Sequence, residues 1–317
     1  MSAHRVSVVI PTRNRLDKLR RALASVDRQS YRDFEVWLVD DGSSDGTGDF
    51  LGSGELTRGY PNIPSIHVLT NEVGGGAAAA RNRALKQLGG DLIAFLDDDD
   101  VWLPEFLARQ VAYLDRNPGT AVACAPFVEV DAGGRSRQPD LQPLFHYASP
   151  LIHLLTEAFV HTMSILVCRR SVFTDIGLLD ERLRVVHDWE WYARLLLSGA
   201  AITATGGTAL VGRDAQGGLV SRHRDWYREE RHVLERIAGD SREVARALRQ
   251  IRAHRALLFA RIALRRGDTA FAAVRLGEAL WTAPLRSLNI LFRRLSRNAC
   301  LAKAQSPSDD TWSESRP

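Results

Sequence analysis

Short apolar runs that end in polar clusters alternate with helical periodicity along the first hundred residues. Val6-Ser7-Val8-Val9-Ile10 reads as a strand, broken by Pro11, that delivers Thr12-Arg13-Asn14 at its carboxyl end. Leu19, Leu23 and Val26 recur at helical spacing and predict a helix from about Leu16. Phe34–Val39 is the next strand and runs into Asp40-Asp41-Gly42-Ser43-Ser44-Asp45-Gly46, turn chemistry that can also cap a following helix. Ile66–Leu69 is a third strand, followed by Asn71 and the run Gly74-Gly75-Gly76. Ala77–Leu88 is alanine-rich and helical, stopped by Gly89-Gly90. Leu92–Leu96 is a fourth strand, apolar throughout as for burial on both faces, and it opens directly into Asp97-Asp98-Asp99-Asp100.

Strands alternating with helices, each strand presenting polar residues at its carboxyl end, predict an α/β fold on a mostly parallel open sheet. Ligands of such sheets sit beyond the carboxyl ends of the strands. Pro11–Asn14, Asp40–Ser43, Asn71–Asn82 and Asp97–Asp100 should therefore converge. Four carboxylates at one strand end repel each other, and a bound divalent cation is the simplest offset, the alternative being a solvated acidic turn. Neither a GxGxxG fingerprint nor a GxxxxGK[ST] loop is present, which argues against dinucleotide and P-loop chemistry. The glycine run suits either a backbone approach to phosphate at a helix N-terminus or a hinge. Arg81, one turn into that helix, suits a phosphate or a surface salt bridge.

Further on, a helix is expected from Pro104 to about Asn117, a strand over Ala121–Val130, a loop over Asp131–Pro143 and a strand over Ser164–Cys168. His187-Asp188-Trp189-Glu190-Trp191-Tyr192 begins another helix. An acid at its start is either a cap favoured by the helix dipole or a carboxylate aimed at the site. Leu195–Gly212 reads as a helix end, a glycine cap and a strand, not a membrane span.

Composition changes the picture mainly through charge. Residues 1–221 hold 22 basic and 27 acidic side chains, whereas 222–297 hold 18 arginines, no lysine and 8 acids. The expected organisation is a catalytic body over 1–221, an arginine-rich helical region over 222–299 and a polar, disordered tail over 300–317. The three widely spaced cysteines suggest neither a disulfide framework nor a zinc site and fit a reducing compartment. No signal peptide is expected, because the apolar stretch at Val6–Ile10 is too short.

Four of these stretches, Val6–Arg15, Leu38–Thr47, Asn71 through Leu85 and Phe95–Asp100, resemble glycosyltransferase family 2 over about residues 5–215. The resemblance implies the GT-A fold, a Rossmann-like sheet that binds a nucleoside-diphosphate sugar, with a divalent cation (Mn2+ or Mg2+) and inversion at the anomeric carbon. By motif, Pro11, Thr12 and Asn14 would line the nucleoside pocket and Asp40 and Asp41 would contact base and ribose. Gly74, Arg81, Asp97 and Asp98 would complete the donor side. Asp97 and Asp99 would serve the metal, with Asp99 the direct ligand. Asp188 resembles the catalytic base of a Glu-Asp motif, with His187 standing where Glu is common. His161, Thr162, His187 and Trp189 are the acceptor-side candidates, for a glycan, a lipid-linked sugar or another hydroxyl. A sugar-nucleotide-binding protein without turnover is the alternative of another class.

For residues 222–297, Val244, Leu248, Ile251, Leu258 and Ile262 form an apolar stripe with arginines mostly off it, and Gly267-Asp268 turns the chain into a second helix ended by Pro284. Packing on the body and attachment to an anionic membrane surface both fit, which would place the protein in the cytoplasm, peripheral to the inner face of the membrane. Nucleic acid is not expected as a partner, since no stacking aromatics are interleaved with the arginines.

Overall fold

The structure, a computed structural model, describes residues 6–131, 136–137, 149–157, 162–205, 209–213 and 222–284. His161, most of the 131–143 loop and the 300–317 tail lie outside the described residues. The chain divides into two compact units, Met1–Ala245 and Arg246–Pro317.

The first unit begins with four strands, β1 (Val6–Thr12), β2 (Phe34–Asp40), β3 (Ile66–Thr70) and β4 (Leu92–Phe95). Between them run helices α1 (Leu16–Asp27), α2 (Thr47–Gly52), α3 (Gly54–Gly59) and α4 (Ala77–Leu85). Then follow β5 (Val101–Trp102), α5 (Phe106–Arg116), β6 (Thr120–Cys124), β7 (Phe127–Asp131), β8 (Ser136–Arg137), α6 (Pro150–Glu157), β9 (Leu166–Arg169) and α7 (Ser171–Ile176). Helix α8 (His187–Leu197), strands β10 (Ala201–Ala204) and β11 (Ala209–Arg213) and helix α9 (His223–Asp240) complete it.

Seven strands form the main sheet in the order β10-β6-β9-β4-β1-β2-β3. All neighbours are parallel except β9, which runs antiparallel to both β4 and β6. Strands β1, β2 and β4 are buried at every position, apolar throughout in β4 and with Ser7 of β1 and Glu35 of β2 satisfying each other at 2.7 Å. Their carboxyl ends are held level by the ladder: Thr12 pairs with Asp40 and Asp40 with Thr70. The Asp41 N–H donates to the Thr12 carbonyl, and that of Leu96 to Val9.

Two expected strands differ. Ala121–Val130 is two strands, because Pro126 has no N–H for a ladder and the Ala125 N–H turns to the Ile165 carbonyl at 2.7 Å. β6 stays in the main sheet while β7 joins β5, β11 and β8 in a second one. Before β9, Met163–Ile165 is a 3-10 turn, since the Thr162 hydroxyl accepts from the Ser164 N–H.

The boundary expected at Ser221 and the change of packing do not coincide: α9, with four arginines against five acids, belongs to the first unit, and the excess of arginine begins beyond it. The described part of the second unit is the remainder of α10 (Arg242–Arg265) with α11 (Thr269–Thr282), joined through Gly267 at φ +76°. Its seam differs from the expected stripe. Leu248, Leu258 and Ile262 are only half-buried, while Ala256, Ala260, Ala263 and Phe259 are buried, small side chains letting α10 be approached closely. Ala256 and Leu257 pack against Ala279 and Leu276 of α11. Among the described residues no helix is long and apolar enough to cross a membrane.

Candidate active site

The aspartate run leaves β4 through a turn closed by the Asp100 N–H donating to the Asp97 carbonyl, and its four side chains alternate in exposure. Asp98 and Asp100 are buried, whereas Asp97 and Asp99 are partly open. Asp98 accepts from the Thr12 hydroxyl at 2.8 Å and from Arg15 at 3.1 Å. Arg15 also reaches Asp99 at 3.0 Å, with the Lys18 ammonium 3.7 Å from the same oxygen. The Thr162 hydroxyl lies 3.1 Å from Asp97 and 3.2 Å from Asp100, and the Asp97 N–H donates to Ser164. Burial, first of all, pushes the Asp98 carboxyl up to about 6, against the pull of Arg15 and Thr12. Burial and then the charge of Asp97 raise that of Asp99.

Arg81 connects this run to α8. Its guanidinium donates to Asp97 and, at 2.7 Å, to Nε2 of His187. Both side chains are buried, Arg81 at 3% and His187 at 8% exposure. A histidine that accepts at Nε2 carries its proton on Nδ1, which has no partner. Burial and then the neighbouring Arg81 hold His187 neutral, its pKa lowered to about 3. Asp188 follows at the first turn of α8, half-buried, with one oxygen accepting from the Trp189 N–H at 2.7 Å. Burial raises its carboxyl to about 6, and the Trp189 N–H and Arg81 pull the other way.

The glycine run does something other than expected. The N–H groups of Gly75 and Gly76, at the N-terminus of α4, both donate to Asp41, at 2.8 and 2.7 Å. Asn71 donates to the same carboxylate at 2.7 Å. Those amides are therefore spent on a protein carboxylate and are not free for a phosphate, and three acceptor positions of Asp41 are filled. Gly74 lies under Arg13: a Cβ there would meet the guanidinium at 2.1 Å.

Asp40 is buried and accepts from the Ser43 N–H at 3.0 Å. Pro11 is buried in β1. Asn14 is exposed at φ 53° and accepts from the Ser44 N–H at 2.6 Å, tying the turn after β1 to the turn after β2. The structure thus brings the residues after β1, β2, β3 and β4 to one end of the sheet.

Three of the four acceptor-side candidates are buried. The indole N–H of Trp189 donates to the Leu154 carbonyl, which ties α8 to α6. Thr162 is buried as an organiser of the aspartate run, and His187 as the acceptor for Arg81. Sequence reasoning missed Arg15 and Lys18 as partners of the aspartates and Ser164 as the anchor of Asp97. It also missed Asn82, which bonds Leu179 through both backbone groups, at 2.8 and 3.0 Å. No spacing in the chain pairs residues so far apart.

A divalent cation fits this site. Asp97 and Asp99 offer hard oxygens from one turn, partly open to solvent, in a run whose mutual repulsion and burial disfavour ionisation. No group of three or more His, Cys, Asp or Glu suited to a metal occurs among the described residues. A cation here would be held by two carboxylates of the chain, Asp97 and Asp99, with other oxygens completing its shell, as is usual for Mg2+.

The family model for glycosyl transferase family 2 matches residues 7–177, more than half of the chain. The chain belongs to that family. It is 37% identical over 117 residues to the UDP-Glc:alpha-D-GlcNAc-diphosphoundecaprenol beta-1,3-glucosyltransferase WfgD of Escherichia coli, a match covering 37% of this chain and 44% of that protein. The chain thus spans less than half the length of that relative. Among solved structures, Staphylococcus aureus TarS 1-349 in complex with UDP-GlcNAc superposes with a TM-score of 0.64 at 22% identity, over 89% of this chain and 82% of that one. The mannosyltransferase PcManGT of Pyrobaculum calidifontis, in complex with GDP-Man and Mn2+, does so with a TM-score of 0.63 at 17% identity, over 95% and 81%. These likenesses show the shared GT-A fold.

Proposed function

We propose that this family 2 chain is an inverting glycosyltransferase that moves a sugar from a nucleoside-diphosphate sugar to an acceptor hydroxyl, in the synthesis of a surface polysaccharide or glycolipid. The observation that carries the reading is the Arg81 bridge. One buried guanidinium spans Asp97, at the end of β4, and His187, so Asp188 stands beside the aspartate run across 91 residues of chain.

Asp188 takes the proton of the acceptor hydroxyl as its oxygen bonds to the anomeric carbon. The bond from that carbon to the diphosphate breaks, and its electron pair leaves with the diphosphate. A carboxyl near pH 6 is ionised at neutral pH and a stronger base than an ordinary aspartate. With one base and no covalent intermediate, configuration inverts. When bound, a cation at Asp97 and Asp99 neutralises charge on the departing diphosphate. Arg81 fixes the orientation of Asp97, while Arg15 fixes Asp98 and, with Lys18, attends Asp99.

The acceptor reading includes a lipid-linked sugar, and the second unit supports attachment to an anionic bilayer. Residues 246–284 hold eight arginines and two acids. Ala270, Ala273, Val274, Gly277, Leu280 and Trp281 form an exposed face of α11 without a charge, Trp281 at 90% exposure. Exposed Arg265 and Arg266 adjoin the start of that helix. Co-sedimentation with phosphatidylglycerol vesicles is expected and should fall at least tenfold in Trp281→Glu; unchanged binding by that variant retires the attachment.

The catalytic test is release of nucleoside diphosphate from UDP-glucose, UDP-GlcNAc or GDP-mannose, with and without Mn2+. Mn2+-dependent release from one donor is expected. Binding without release, even with a lipid-linked acceptor supplied, would favour a silent sugar-nucleotide-binding protein.

A further inference from the structure

Helix α8 carries Asp188 in its first turn, yet its N-cap position is Val186, a side chain with no acceptor. The missing acceptor comes from α9. Glu229 takes the N–H of Arg184 on Oε1 at 2.9 Å, and those of Val185 and Val186 on Oε2 at 2.8 and 3.1 Å. Three consecutive amides leading into α8 thus converge on one carboxylate from a helix some forty residues later, and such charge-assisted bonds are the strong ones.

Two helical turns further along α9, Arg236 donates to Glu190 of α8 and, at 3.3 Å, to Asp180 in the preceding loop. Glu190 is fully buried and also receives Arg194 at 2.8 and 2.9 Å. Val233 and Leu234, between these two polar contacts, and Ile237, just past the second, are buried. Both contacts grip α8 or its approach, on either side of the residue that faces the aspartate run.

We infer that Glu229 and Arg236 are positioning residues for the transfer reaction. Helix α9 holds the leading edge of α8 and so keeps Asp188 in place, and the catalytic unit extends through α9, past the boundary expected at 221. This rests on the assignment of Asp188 as the base. Without Glu229 the three amides turn to water and the segment that sets the place of Asp188 loosens. A displacement of about 1 Å at a reacting group costs up to a hundredfold in rate.

The test joins hydrogen exchange with kinetics on the full chain, using whichever of UDP-glucose, UDP-GlcNAc or GDP-mannose the unaltered protein turns over. In Glu229→Ala, peptides covering 184–191 should exchange at least tenfold faster. The kcat should fall ten- to a hundredfold with a smaller change in donor KM, because the segment reaches the donor side only through side chains, Arg184 at the Gly75 carbonyl and His187 at Arg81. Glu229→Gln keeps one acceptor oxygen and should fall between Ala and the unaltered chain in both readouts. It also serves as the variant to measure should Glu229→Ala fail to fold. Unchanged exchange over 184–191 in both variants overturns the inference, as does a loss of kcat matched by an equal rise in donor KM. Asp188→Asn should lower turnover about 10²–10⁴-fold with exchange over 184–191 intact. Full turnover by that variant removes the base assignment, and the inference with it, independently of what exchange reports.

Discussion

The proposed donor half and the proposed base half of the site are held by different forces. Thr12, Asp40, Asn71 and Asp97 stand at the ends of parallel neighbours or just beyond them, level because consecutive backbone hydrogen bonds fix their register. Asp188 has no such ladder. It sits on a helix located by contacts from three other elements: the side chains of Arg81 on α4 and of Glu229 and Arg236 on α9, and the backbone carbonyl of Leu154 on α6. A strand end shares its placement among many equivalent bonds, so losing one side chain costs little precision. A helix held by a few charged contacts depends on each, which makes the base half the place where geometry is adjusted or lost.

The sharpest way to separate the halves is Asp188→Asn. It is expected to cost about 10²–10⁴-fold in kcat, the usual worth of a general base, while calorimetry shows nucleotide affinity unaltered. Arg81→Ala breaks the link between them. It leaves Asp97 without its buried cation and His187 without its donor, and breaking a buried pair costs about 3–5 kcal/mol. A chemical denaturation midpoint should register that loss, at the low end because Asp97 keeps some solvent contact.

The pH dependence sharpens the comparison further. As the proposed base, Asp188 would act unprotonated, and burial has moved its carboxyl up to about 6. The rate should be flat above pH 7 and fall through pH 6, reaching about a tenfold loss at pH 5. Asp98, also raised to about 6, shares the window, but it is bound to Thr12 and Arg15 on the donor side. Its protonation should appear in donor KM and not in kcat. A pH profile that moved only KM would shift the titration from the base to the aspartate run.

What could be read from the chain follows the same division. The strands, the convergence of their ends and the acidic run were visible because each is a local pattern: an apolar block, a turn cluster, a repeat of carboxylates. Asp188 could be picked out only by resemblance to a family motif, because an acid at a helix start has an ordinary capping role. The partners of the site were invisible. Nothing near Glu229 distinguishes it from Glu230 beside it, and the two differ only once the fold brings the 184–186 amides to α9. The boundary expected at 221 came from summing charge over 222–297, although 222–245 hold six arginines and six acids and the excess lies beyond them; Val233, Leu234 and Ile237, buried on α9, go with the first unit.

The smallest expected effect concerns the glycine run, where the donor half itself divides. At Gly75 a Cβ would lie 2.7 Å from that of Ala79, an atom fixed on α4 that cannot swing aside. At Gly74 it would meet only the exposed end of Arg13, which can. Gly75→Ala must therefore shift the start of α4 and the amides that hold Asp41, at a cost of about 1–3 kcal/mol, in the range of overpacked sites. Gly74→Ala should stay within about 0.5 kcal/mol, as for surface changes. Thermal midpoints of the two variants decide between the roles proposed for the run. If donor affinity falls equally in both, the glycines serve a ligand's approach. If only Gly75→Ala loses stability and donor affinity falls with it, the run serves Asp41, and its phosphate-like geometry has been turned inward to brace the loop after β2.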